Sequence, residues 1–180
     1  MTFASRATFA AALCLAVSAC NLSKIPGVWK TYTHPSYGFT LKTPRSWTVR
    51  EGGDFGALLT FLPKEDDTLF RANANLVVEP KDPSTNLDNL AQRSVVQLQA
   101  LLAGYRVLGQ IPMRWGGLPA IEIRSLYSAS EGDRILRTFL AVTTDFVYVL
   151  SITCRAEREA EHTSDFNAFV ASFVWPAATR

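Results

Sequence analysis

Cysteine, histidine and carboxylate side chains are where a short chain most often carries its chemistry, and in these 180 residues they are few and scattered. The two histidines, His34 and His162, lie far apart. His34 precedes Pro35 at a strand end and His162 sits among charges near a helix start, so both read as surface positions. No Gly-x-Ser-x-Gly elbow presents a nucleophilic serine. Neither His-Glu-x-x-His nor a paired-cysteine spacing provides for zinc. Gly52-Gly53 and Gly116-Gly117 lack the spacing and the lysine of a phosphate-binding loop and read as turns. Glu65-Asp66-Asp67 offers oxygen ligands to a hard cation, but calcium needs about six to eight that converge, so a solvated loop is expected. The sequence therefore leads us to expect no catalytic residue, no resident metal and no cofactor.

One residue does have chemistry written around it. Arg6, with the α-amino group, forms a positive start. Ala7 to Val17 is uncharged, and Ser18-Ala19 is a small-residue cleavage site. The apolar run is shorter than the roughly 20 residues that cross a hydrocarbon core, so it reads as a cleaved export signal over residues 1–19. Val17-x-Ala19 would suit a general signal peptidase. With the cysteine that follows, Val17-Ser18-Ala19-Cys20 resembles the bacterial lipobox, whose cysteine thiol is joined to diacylglycerol before cleavage and becomes the acylated first residue. Each buried methylene adds roughly 0.8 kcal/mol, and two or three chains on one residue make the attachment lasting where one does not. By the same resemblance, Asn21 in place of aspartate points to the outer membrane, facing the periplasm, in a Gram-negative source.

Residues 20–180 are enough for one domain that buries about two-thirds of its unfolded surface. The whole chain carries a formal net charge of +2, and losing Arg6 brings the remainder closer to neutrality. That balance argues against a nucleic-acid partner. Cys14 leaves with the signal and Cys20 is taken by lipid, so Cys154 stands at the end of an apolar run as a small buried hydrophobe. Without lipid on Cys20, a Cys20–Cys154 bridge becomes conceivable.

Residues 20–30, with Pro26-Gly27, read as a lipidated tether, and a single domain is expected over 31–176. Strands are expected at Phe39–Lys42, from Trp47, at Ala57–Leu62 and at Ala74–Glu79. Leu87, Leu90, Ala91, Val95, Leu98 and Leu102 fall on one face of a helix, capped by Ser84, Thr85 or Asn86 and closed near Gly104. Strands at Tyr105–Ile111, Ala120–Tyr127, Ile135–Thr143 and Phe146–Thr153 follow, with links short enough for antiparallel hairpins. Ile135 to Ile152 is interrupted by Arg137 and Asp145 and is not a membrane span. Phe166, Phe169, Val170 and Phe173 stripe a second helix that begins at Thr163 or Ser164. The charges from Arg155 to Glu161 read as a solvated face. Met113, Trp115 and Leu118 form either an exposed apolar lip or a buried hairpin corner.

The order of these features resembles the PsbP-like superfamily, which includes the DcrB-type bacterial lipoproteins. Tyr37-Gly38-Phe39 enters a strand, and Pro44-x-x-Trp47 follows. Leu76-Val77-Val78 leads through Ser84 and Leu87 to the long helix. Gly117-Leu118-Pro119-Ala120 opens the meander, and Phe166-x-x-Phe169-x-x-Ser172-Phe173 closes it. The resemblance covers Tyr32 to Trp175. It implies an α+β fold, an antiparallel β-sheet flanked by helices in an α/β/α sandwich, and an envelope location, with no shared catalytic residues to transfer.

The reading that results is a non-catalytic, membrane-anchored envelope lipoprotein, tied to the bilayer through acylated Cys20. Its domain binds or supports another envelope protein, and a groove between sheet and helix is a place to hold a peptide or an apolar ligand. A small-ligand or lipid carrier with an internal pocket is the second reading. A hydrolytic enzyme is the third, and the absent nucleophile–base pair counts against it.

Overall fold

A computed structural model describes residues 28–53, 56–64 and 70–176. Cys20 and the Glu65-Asp66-Asp67 loop therefore lie outside the described residues. The described residues form nine strands and two α-helices in an α+β arrangement. β1 (Trp29–Thr33) and β2 (Thr40–Pro44) make a separate antiparallel hairpin, with Trp29 opposite Pro44 and Thr33 opposite Thr40. β3 (Thr48–Glu51), β4 (Leu59–Leu62), β5 (Asn73–Pro80), β6 (Arg106–Trp115), β7 (Leu118–Ala129), β8 (Gly132–Val142) and β9 (Phe146–Arg155) form one sheet. Its order is β3-β4-β5-β9-β8-β7-β6, and every neighbouring pair is antiparallel.

Both faces of this sheet are covered, which explains why β8 and β9 read as near-continuous apolar runs rather than alternating ones. Successive residues point to opposite sides. On one side Ile121, Ile123, Leu140 and Val147 pack under α1 (Leu87–Leu101) through Leu90 and Ala91. On the other, Phe61, Leu76, Phe139, Leu150 and Ile152 share a core with Phe166, Phe169 and Val170 of α2 (Glu159–Ala171) and with the β1–β2 hairpin. The result is the expected sheet between helices. Cys154 is 3% exposed within that second core, as expected for a small hydrophobe.

Asn86 caps α1. Its side chain accepts from the Asn89 amide at 2.9 Å, and the Asn89 side chain accepts from the Asn86 amide at 3.1 Å. Gly104, at φ +61°, takes the left-handed conformation two residues past the helix's closing residue, Leu102. Only the first half of α1 is pinned: Leu90 and Ala91 are buried, whereas Leu101 is 58% exposed.

Two expectations about the elements need correction. β1 starts at Trp29, two residues inside the stretch read as tether, because Trp29 and Lys30 find strand partners in Pro44 and Thr43. α2 starts at Glu159, after a 3₁₀ turn at Ala156–Arg158, and not at Thr163 or Ser164. The Thr163 hydroxyl donates back to the Glu159 carbonyl at 2.7 Å, so it serves inside the helix rather than as its cap. Of the two readings of Met113, Trp115 and Leu118, the buried hairpin corner holds: Trp115 is core at 1% exposure, and Met113 and Leu118 are half-buried. The β6–β7 link is the two-residue turn Gly116-Gly117, both at positive φ, as a type I′ hairpin requires.

Candidate functional site

β6 is the last strand of the sheet, so one of its sides has no neighbouring strand among the described residues. Between that edge and α2 lies an open groove of about 480 Å³, walled by Met113 and Arg114 from β6 and by Asn167 and Val170 from α2. Its floor is an ion pair. Arg137 Nε donates to Glu122 Oε1 at 2.6 Å, and Arg137 Nη1 donates to Asn167 Oδ1 at 2.8 Å. The guanidinium also lies 5.1 Å from the centroid of Phe139. With about 15% exposure on each side chain, the pair is largely withdrawn from water but reachable from the groove. A second, bidentate pair, Arg124 with Glu159, pins the first turn of α2 to β7 beside it. Part of the charged stretch read as a solvated face therefore fastens the helix to the sheet.

A second hollow, of about 440 Å³, opens where the β1–β2 turn meets the end of β3, lined by His34, Ser36, Glu51, Leu58 and Val78. His34 is not a surface residue; it is 6% exposed. Its Nδ1 accepts the backbone N–H groups of Ser36 and Tyr37, each at 3.2 Å, and its ring packs 5.2 Å from Phe39. Accepting at Nδ1 places the neutral ring's proton on Nε2. Burial lowers the His34 pKa below its ordinary value, against a smaller opposing pull from Glu51. The nearby Tyr32 hydroxyl is pushed up by burial and by Glu51. His162 lies on α2, stacked on Phe166 with ring centroids 5.4 Å apart.

The described residues also leave several large apolar side chains exposed. Of seven large apolar side chains well exposed among them, five are Val96, Leu101, Val107, Leu108 and Ile111. These belong to α1 and to β6, which bulges between Val107 and Gly109, so that Val107 faces the α1 side with Ser125 and Ile111 faces the α2 side with Glu122. Among the described residues, no three His, Cys, Asp or Glu side chains gather as a metal set. Sequence reasoning singled out Cys20, which lies outside the described residues, and missed Glu122, Arg137 and Asn167. Their separation of up to 45 positions left no local signal. The edge did leave one, because Asn89 to Ile121 contains no Asp or Glu.

Sheet, helices and hairpin together define a PsbP-like α+β domain. The DcrB family model matches residues 40–172, and the chain belongs to that family. No curated protein sequence matches it. Among solved structures it is similar to the cyanobacterial PsbP protein of Synechocystis sp. PCC 6803, with a TM-score of 0.65 and 12% identity, covering 88% of this chain and 98% of that one. It is also similar to LpqN of Mycobacterium tuberculosis, a protein involved in cell envelope biogenesis (TM-score 0.63, 14% identity, 84% and 93% covered). A putative regulator of unknown function from Pseudomonas aeruginosa gives a TM-score of 0.59 at 13% identity, with 85% and 100% covered. At such identities the likeness speaks for the fold alone.

Proposed function

We propose that this chain is a lipid-anchored, non-catalytic accessory domain of the bacterial cell envelope, which binds another envelope protein. The observation that carries the binding reading is the open groove beside α2, with the exposed Ile111 of β6 on the same face of the sheet. Grooves rimmed by exposed apolar side chains mark interaction surfaces. The polar groups of the groove are engaged with each other: Arg137 holds both Glu122 and Asn167. That arrangement suits a docking floor better than a proton-transfer site, where an acid or base must reach substrate. The export signal and Cys20 supply the anchor, and the envelope role of the mycobacterial relative is consistent with that address.

A second reading, a small-ligand carrier, draws on the hollow beside His34, where Nε2 has no protein partner among the described residues. Purifying the full-length protein from detergent-solubilised membranes and weighing it by native mass spectrometry separates the two. The accessory reading expects a stoichiometric protein neighbour; a retained small molecule in place of that neighbour would overturn it in favour of the carrier.

A further inference from the structure

We infer that the hollow beside His34 binds a small organic amine, one that joins its ammonium group to a neutral oxygen acceptor and an apolar body. The hollow shares no lining residue with the groove beside α2, so this site goes beyond the accessory reading and does not depend on it.

The donor of the site is fixed in place. His34 is 6% exposed, and the rings of Tyr32, Tyr37 and Phe39 surround it with centroids 6.4, 5.0 and 5.2 Å away. The Ser36 and Tyr37 amides at Nδ1 set the tautomer, so the proton sits on Nε2. Burial lowers the pKa, which keeps the ring neutral near neutral pH. Nε2 has no hydrogen-bond partner among the described residues, yet it is not sealed from solvent. The hollow is the space onto which this side chain opens. A donor held this rigidly loses little freedom when a ligand oxygen meets it. Because that nitrogen carries the proton, it offers no lone pair to a metal ion.

Glu51 supplies the charge. Among the described residues that line the hollow it bears the one formal charge. Its carboxylate enters no hydrogen bond or ion pair among the described residues, and its field reaches both His34 and the Tyr32 hydroxyl. A carboxylate with no counter-charge in the hollow attracts a cation and repels an anion, more strongly where apolar walls displace water. Those walls are Ala57, Leu58 and Val78. A volume of about 440 Å³ leaves room for a small molecule. An ammonium on Glu51, an oxygen on the Nε2 proton and an alkyl group on the three walls together satisfy every part of the lining. Since the hollow is open, such a ligand exchanges freely and accompanies a protein neighbour rather than replacing one.

The test is an NMR titration of the full-length protein in detergent micelles, with isotope-labelled histidine so that His34 and His162 report separately. The probe is leucinol, which carries an ammonium, a hydroxyl and an isobutyl group. Its diol analogue has a hydroxyl in place of the ammonium, and its hydroxy-acid analogue, leucic acid, ends in a carboxylate. Leucinol should shift the His34 Nε2 resonance saturably and leave His162 unmoved. The diol should bind at least about threefold more weakly, as expected on losing an ion pair partly open to water, and leucic acid more weakly still. Glu51→Gln should abolish the preference for leucinol while leaving the affinity for the diol unchanged. The inference is overturned by the absence of a saturable shift with leucinol, by equal movement of His162, by a diol or leucic acid that binds as well, or by a preference that survives Glu51→Gln.

Discussion

The indole Nε1 of Trp175 donates a 2.8 Å hydrogen bond to the carbonyl of Trp115, fastening the end of the described chain to the β6–β7 turn. The two rings meet edge to face with centroids 5.0 Å apart, and Phe173 and Tyr148 pack against the same indole at 4.5 Å. Trp175→Phe keeps an aromatic ring and removes the donor, so it should cost about 0.5–1.5 kcal/mol. Urea midpoints at unchanged m-value would measure it.

The turn itself should tolerate less. Gly116 has φ +56°, and a Cβ added there would stand 2.6 Å from Trp175 Nε1 and 2.8 Å from the Phe173 carbonyl oxygen. That oxygen belongs to the backbone and cannot swing aside. Gly116→Ala should therefore destabilise by more than Trp175→Phe, at least about 1–3 kcal/mol, in the same urea titration. Gly117→Ala meets no neighbouring atom and carries only the positive-φ strain, so it should fall below Gly116→Ala.

Arg137 and Glu122 are 14% and 15% exposed, so neither charge is easily left alone. Arg137→Met should cost about 2–3 kcal/mol, near the low end for a buried pair because some water still reaches it. Replacing both, with Glu122→Leu added, should recover most of that loss. A double variant as unstable as the single one would show that the pair is not what stabilises this corner.

His34 gives the fold a dependence on pH. Its folded pKa lies below the ordinary 6.5 because burial penalises the charged ring, with Glu51 opposing. The unfolded chain thus binds more protons below about pH 6.5, and the contribution present above that pH is lost as pH falls toward the folded value. Protonation would also put an N–H at Nδ1 against the Ser36 and Tyr37 amides. In His34→Asn, Oδ1 replaces Nδ1 as acceptor without titrating. The stability difference between wild type and variant should shift against wild type from pH 7.5 to pH 5, roughly the interval in which a histidine titrates. A constant difference would count against the assignment.

Much of the fold was legible because it is locally encoded. The spacing of Leu87, Leu90, Ala91, Val95 and Leu98 placed α1, and Asn86 was among the expected caps. β1 was not legible: its five residues, three half-buried and two exposed, have no clear period, and only pairing with Thr40–Pro44 makes them a strand. The start of α2 was misread because a threonine suited to capping back-bonds within the helix. The groove depends on strand order, which sets β6 at an edge and brings Asn167 to Arg137. No window of sequence contains that information.

Anchoring through Cys20 is the part of the account on which the others depend most, and one labelling experiment reaches it. Cells given radioactive or alkyne-tagged palmitate should label the wild-type protein and retain it with membranes. Cys20→Ser should abolish the label and release the protein to the soluble fraction, because a single polar hydroxyl offers no site for the thioether-linked lipid. Label and membrane retention unchanged in Cys20→Ser would contradict the account.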